Sequence, residues 1–130
     1  MTKRRTKNKD LEARIKALDR RLQGITLEIE TAAECETRIE ADPGNEDLKQ
    51  ESNARNLRLK HFFNALKYLP EDELELLYLH YEAGYSYRHL ERFYKESNNP
   101  LHPNYSSKSL QLKNRIILER MIRQNGTSLL

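Results

Sequence analysis

Apolar residues recur at Leu11, Ile15, Leu18, Leu22, Ile25, Ile29, Ala32 and Ile39, in steps that alternate four and three. Only Glu36 interrupts the series. A seam kept for about four heptads predicts one helix of roughly 30 residues, about 45 Å long at 1.5 Å per residue. So narrow a stripe cannot bury itself, and the helix needs a partner, either a later segment of the chain or a second copy. Gly24 weakens its middle by about 1 kcal/mol relative to Ala. Asp42-Pro43-Gly44-Asn45 is the clearest stop signal in the chain.

A second periodic stretch carries Leu48, Leu59, Phe62, Leu66 and Leu69, with polar Ser52 and Arg55 at its early seam positions. Its packing is therefore expected in the C-terminal half, around Phe62 and Phe63. The short turn between the two stretches favours an antiparallel hairpin. The first helix then overhangs by roughly ten residues, and that overhang is the basic N-terminus. The unpaired length of seam predicts a homo-oligomer, most simply a dimer.

The third piece opens at Leu69-Pro70-Glu71-Asp72-Glu73. Proline at the first helical position followed by acids in the first turn is a helix-start signal. Leu74, Leu77, Tyr78 and Tyr81 give an amphipathic face, and Gly84 ends the helix. Ser86 caps a short second helix with Leu90, Phe93 and Tyr94 on its apolar side. A polar stretch with two prolines runs from Lys95 to Tyr105. Ser106 or Ser107 starts a last helix to about Arg123, with Leu110, Ile117 and Met121 inward. The chain thus reads as all-α: residues 1–68 form a basic arm and a helical hairpin or coiled coil for oligomerisation, and residues 69–130 a three-helix module. A short second helix before a basic, serine-capped third is the layout of a helix-turn-helix.

Composition agrees. Charged residues make up 33% and hydrophobic ones 37%, with a mean hydropathy of −0.92, which suits long exposed helices that bury one stripe. Four Gly and four Pro are too few for a many-turned β-sandwich. No apolar run approaches the roughly 18 residues that cross a bilayer, and Met-Thr-Lys-Arg-Arg leads into no secretory core. The expectation is a cytoplasmic protein with no membrane partner.

Charge is segregated along the chain. Residues 1–21 carry nine Lys/Arg against three Asp/Glu, residues 22–82 six against fourteen, and residues 83–130 eight against three. Two basic ends around an acidic middle form an electrostatic footprint for nucleic acid.

The wording of the third piece is familiar. Leu69-Pro70, the stretch Leu77-Tyr78-Leu79-His80-Tyr81 and the run Gly84-Tyr85-Ser86-Tyr87-Arg88 resemble the helix-turn-helix of bacterial sigma factor region 4. The version is similar to that of small phage late-gene transcription regulators of the ArpU/RinA type. Those proteins place a charged helical or coiled-coil part before a C-terminal sigma-like module. Two features depart from that pattern: Glu91 stands where the second helix usually has a small residue, and the turn from Lys95 to Tyr105 is long.

The resemblance and the helical wheel together place Ser107, Lys108, Gln111 and Arg115 on one face of the last helix. Lys or Arg suits guanine O6/N7 and Gln111 an adenine edge. Lys113 is expected at the flank or on a phosphate, and Tyr87 and Arg88 on a phosphate. Lys3, Arg4, Arg5, Lys7 and Lys9 add nonspecific affinity or only solubility.

Other chemistry finds little footing. His61, His80, His89 and His102 form no metal spacing, and Cys35 stands alone. No phosphate loop or nucleophile motif is present, so neither an enzyme nor a cofactor is expected. The reading is a sequence-specific regulator of transcription, phage-encoded and working in the bacterial host cytoplasm. It binds double-stranded DNA as a homo-oligomer and acts on late genes, with host RNA polymerase as a possible partner. Two alternatives are a small-terminase-like packaging protein and a protein-only adaptor docking on RNA polymerase.

Overall fold

The computed structural model describes residues 2–97 and 105–130, with side chains from Lys9 onward except that of Thr127. Among the described residues all regular structure is helical. Six α-helices follow in order: α1 (Thr2–Gln23), α2 (Ile25–Ala41), α3 (Glu46–Lys67), α4 (Glu71–Leu77), α5 (Tyr87–Glu96) and α6 (Ser107–Asn125). A π turn, Tyr78–Glu82, extends α4, and a 3₁₀ turn, Gly126–Leu129, follows α6. No helix is long and apolar enough to cross a membrane among these residues.

The long seam does not run through one helix. At Gly24 the backbone turns to φ −103° and ψ 4°, and its N–H is shared between the carbonyls of Arg20 (3.2 Å) and Arg21 (3.1 Å). A tightened turn at the residue with the least helical preference divides the predicted helix into α1 and α2. The two halves of the seam then serve different partners. Ala32 and Cys35 of α2 are buried on the side that packs against α3, whereas Ile15, Leu18 and Leu22 of α1 join the core formed with α6.

The α2–α3 hairpin forms as the turn signal predicts. Asp42 N–H closes onto the Arg38 carbonyl at 2.9 Å, and Asn45 Oδ1 caps α3 by accepting from Leu48 N–H at 3.1 Å. Ser52, Leu59, Phe62 and Ala65 face inward along α3. Phe63, expected beside Phe62, is instead 47% exposed.

One hydrophobic cluster spans both halves of the chain. It joins Leu18, Phe62, Leu76, Leu90, Leu110, Ile117, Leu118 and Met121, all of them nearly inaccessible to solvent. The seam residues of α1 that suggested a second copy are therefore covered by α6 and its neighbours in the same chain. The α1 seam is thus paired within the chain and calls for no second copy.

The inward stripe of α4 is rotated by about one residue from the predicted face. Glu73, Leu76 and Leu77 are buried, and Tyr78 points outward at 56% exposure. Glu73 takes the inward place because Arg120 of α6 donates to both of its carboxylate oxygens at 2.6 Å. Gly84, at φ +77°, then reverses the chain in the left-handed region. Leu129, in the turn beyond α6, is fully buried.

Arg21 staples the Gly24 junction. Its guanidinium pairs with Glu28 of α2 at 3.2 Å and lies 5.1 Å from the centre of the Phe62 ring. It also donates to the carbonyls of Leu129 at 2.6 Å and Arg58 at 3.3 Å. One of the nine cations of the basic N-terminal block thus serves the fold.

Candidate nucleic-acid interface

The last helix begins with a capping box. Ser109 N–H donates to Ser106 Oγ at 3.1 Å, and Ser106 N–H donates to Ser109 Oγ at 2.8 Å. From there Leu110, Asn114, Ile117, Leu118, Met121 and Ile122 face the core. The outward face carries Lys108, Gln111, Leu112, Arg115 and Ile116, all exposed.

This face is not solitary. α1 runs beside it, and between the two helices lies a groove of about 730 Å³. Ile15, Lys16 and Asp19 line it from α1, and Lys108, Gln111 and Arg115 line it from α6. Among the described residues, Lys16 and Lys108 enter no ion pair. Arg115 pairs with Glu12 of α1. The groove therefore has two uncommitted cations and one neutralised by its neighbour.

The floor is a polar relay. Tyr81 donates its hydroxyl proton to Asp19 at 2.6 Å and accepts from Asn114 Nδ2 at 2.7 Å. The same amide nitrogen also donates to the Tyr87 hydroxyl at 3.0 Å. Burial, reinforced by the carboxylate of Asp19, pushes the Tyr81 phenol far above its ordinary value. Burial also raises Tyr87, whose ring stacks on His80 with centroids 4.3 Å apart. This relay joins α1, the π turn, α5 and α6, and holds the groove's two walls at a set distance.

The seven residues named from the sequence separate into groups. Lys108, Gln111 and Arg115 stand together in the groove. Ser107 lies half-buried in the first turn of α6. Tyr87 lines the groove, but its hydroxyl is committed to Asn114. Arg88 is exposed on α5, away from the groove lining.

Lys113 turns the other way, onto the module's inner side. Its ammonium donates to Asp72 at 2.9 Å and to the Tyr105 hydroxyl, and it lies over the Tyr105 ring. Burial lowers the Lys113 pKa, but those two hydrogen bonds outweigh it and hold the group above the usual lysine range. The same contact lowers Asp72. Its place as a flank or phosphate residue is taken by a pair that ties α4 to α6.

Residues 98–104, most of the long turn, and the side chains of Lys3, Arg4, Arg5 and Lys7 lie outside the described residues. His80 Nδ1 donates to the Tyr85 carbonyl at 2.8 Å, and His89 stacks on Tyr85. Among the described residues, no group of three His, Cys, Asp or Glu side chains is placed to hold a metal ion.

No family model matches this chain, and no curated protein or solved structure matches it.

Four groove residues escaped the sequence reading. Lys16 and Asp19 lie on α1, and nothing local says that this helix lies along α6. Leu112 is exposed next to Gln111, where a helical wheel alone leaves its role open. Asn114 carried the one usable signal, a polar residue amid an apolar inward stripe.

Proposed function

We propose that this chain is a sequence-specific, double-stranded-DNA-binding regulator of transcription. The single observation that carries the reading is the groove face of α6. Lys108 and Gln111 project from its capped first turns beside Lys16 of α1, on a helix whose inner stripe from Leu110 to Ile122 is buried in the core. Rigid support behind an exposed polar face is what base readout needs, because a hydrogen-bonding side chain must hold its register against a base edge. Lys108 suits guanine O6 or N7, Gln111 an adenine edge, and Leu112 the methyl group of thymine. Lys16 and Arg88 suit phosphates, which position the protein without reading sequence.

Arg115 belongs to the same face but is held by Glu12, so it contributes once that carboxylate is displaced or outcompeted by a phosphate. The resemblance to phage late-gene regulators supports a role as an activator in the host cytoplasm, with host RNA polymerase as its protein partner. Pairing of two copies on a palindromic site belongs to the same reading. Selection of bound duplexes from a random library tests it. A regulator enriches one short motif over successive rounds, and a library that stays random after several rounds refutes sequence-specific binding.

A further inference from the structure

A second groove, of about 430 Å³, opens on another part of the molecule between α2, α3 and α4 with its π turn. Its walls are Ile25, Ile29, Phe63, Leu66, Leu74 and Tyr78, and its only charged lining residues are Glu30 and Glu82. Ile29 is 41% exposed, Phe63 47% and Tyr78 56%, so three large side chains form an accessible apolar rim. Both rim carboxylates are exposed, and neither enters an ion pair among the described residues.

We propose that this groove docks a basic amphipathic helix of another protein, with its apolar stripe against Ile29, Phe63 and Tyr78 and its flanking Lys or Arg against Glu30 and Glu82. A volume of this size takes about two or three anchor side chains spaced i, i+3/i+4 and i+7 on one helix. Charge decides the class of partner. The segment that builds the groove, residues 22–82, carries six Lys/Arg against fourteen Asp/Glu. Two copies meeting face to face through it would bring like charges together. The basic N-terminal block of a second copy is a poor occupant too, because the stripe of α1 is already committed at Ile15, Leu18 and Leu22, and on basic α6 the exposed Leu112 lies in the first groove beside α1. A helix of opposite charge from a different protein satisfies both the apolar wall and the acidic rim. The inference stands apart from DNA binding, which uses a different surface.

The test uses the whole chain and two labelled helical peptides of about 18 residues, five turns long, with the same leucine stripe. One has lysine on its polar face and the other glutamate. The expected result is saturable anisotropy with the lysine peptide, at least tenfold tighter than with the glutamate peptide. Amide shift changes should centre on Ile29, Phe63 and Tyr78. Phe63→Glu, at an exposed position, should weaken binding at least tenfold while the circular dichroism spectrum and thermal midpoint hold. Glu30→Lys with Glu82→Lys keeps the apolar wall and should reverse the preference between peptides. Net attraction does not mimic this result, because the chain as a whole is +3 and repels the lysine peptide. Equal binding of both peptides, shifts on α6, or insensitivity to Phe63→Glu would overturn the proposal. A dimer in sedimentation that Phe63→Glu dissolves would overturn it in favour of a second copy.

Discussion

Replacing Arg21 with alanine should cost far more than a helix-surface arginine normally does. Its side chain is only 12% exposed, and its partner Glu28 20%. The substitution removes a hydrogen bond to the Leu129 carbonyl at 2.6 Å and an ion pair with Glu28 at 3.2 Å. A charged donor to a part-buried acceptor contributes about 1.5–3 kcal/mol. The stacking over Phe62 adds about 0.5–1 kcal/mol. The Glu28 pair reaches solvent and is discounted to about 1 kcal/mol or less. These contributions share one guanidinium and do not add in full, so the expected loss is about 3 kcal/mol. Unfolding entropy near 2.1 cal/mol/K per residue converts that to a drop of about 11 °C in melting temperature. Urea titration followed by circular dichroism, with a parallel thermal scan, reads both quantities. Arg21→Lys keeps the charge but loses the planar fork, and should recover less than half of the loss. A cost below about 1 kcal/mol for Arg21→Ala would refute the claim that this residue holds the Gly24 junction.

Other outcomes concern the two helices of the first groove. Lys108→Ala should weaken DNA binding and lower the salt slope by about one, while Gln111→Ala should relax base preference at one position by about 1–3 kcal/mol; competition anisotropy with single-base variants of the selected site separates the two effects. Glu12→Gln frees Arg115 and should tighten DNA binding with a steeper salt slope, whereas weaker binding would mean that the pair is needed intact. Stability should fall on the alkaline side. The phenols of Tyr81, Tyr87 and Tyr94, all raised first of all by burial, contribute stability that is complete below about pH 10 and lost as pH climbs past it. The urea midpoint should be flat from about pH 6 to 9 and drop above 10, and Tyr94→Phe should lessen that drop.

Local signals read well wherever the determinant was local. Ser86 and Ser106 cap the helices they precede, the turn at Asp42-Pro43-Gly44-Asn45 ends α2, and Gly84 ends the segment it follows. The all-helical class followed from periodicity and the scarcity of turn residues. What escaped depended on contacts between distant segments. The seam pattern is the same whether α1 meets another copy or its own α6, so Leu18 and Leu22 could not reveal their partner. Gly24 was visible as a weak point, but whether a weak point bends or breaks depends on the pull of two packing partners. Glu73 looked like one more acid in a first turn, and only Arg120 explains why it turns inward. Lys113 looked like a basic contact residue for the same reason, since its partner Asp72 lies 41 positions away. At the candidate interface, Lys108, Gln111 and Arg115 were legible from one helix, while Lys16 required knowing which helix lies alongside.

The central claim is that the α6 face reads DNA, and the most direct measurement is a salt titration of binding between about 50 and 200 mM. It uses duplex DNA from the gene's own neighbourhood and a scrambled control. The account predicts a steep loss of affinity with salt, on the order of 10³-fold if several phosphates are neutralised, with a preference for one fragment that Gln111→Ala diminishes. Equal affinity for both fragments, or no binding at the lowest salt, would contradict it.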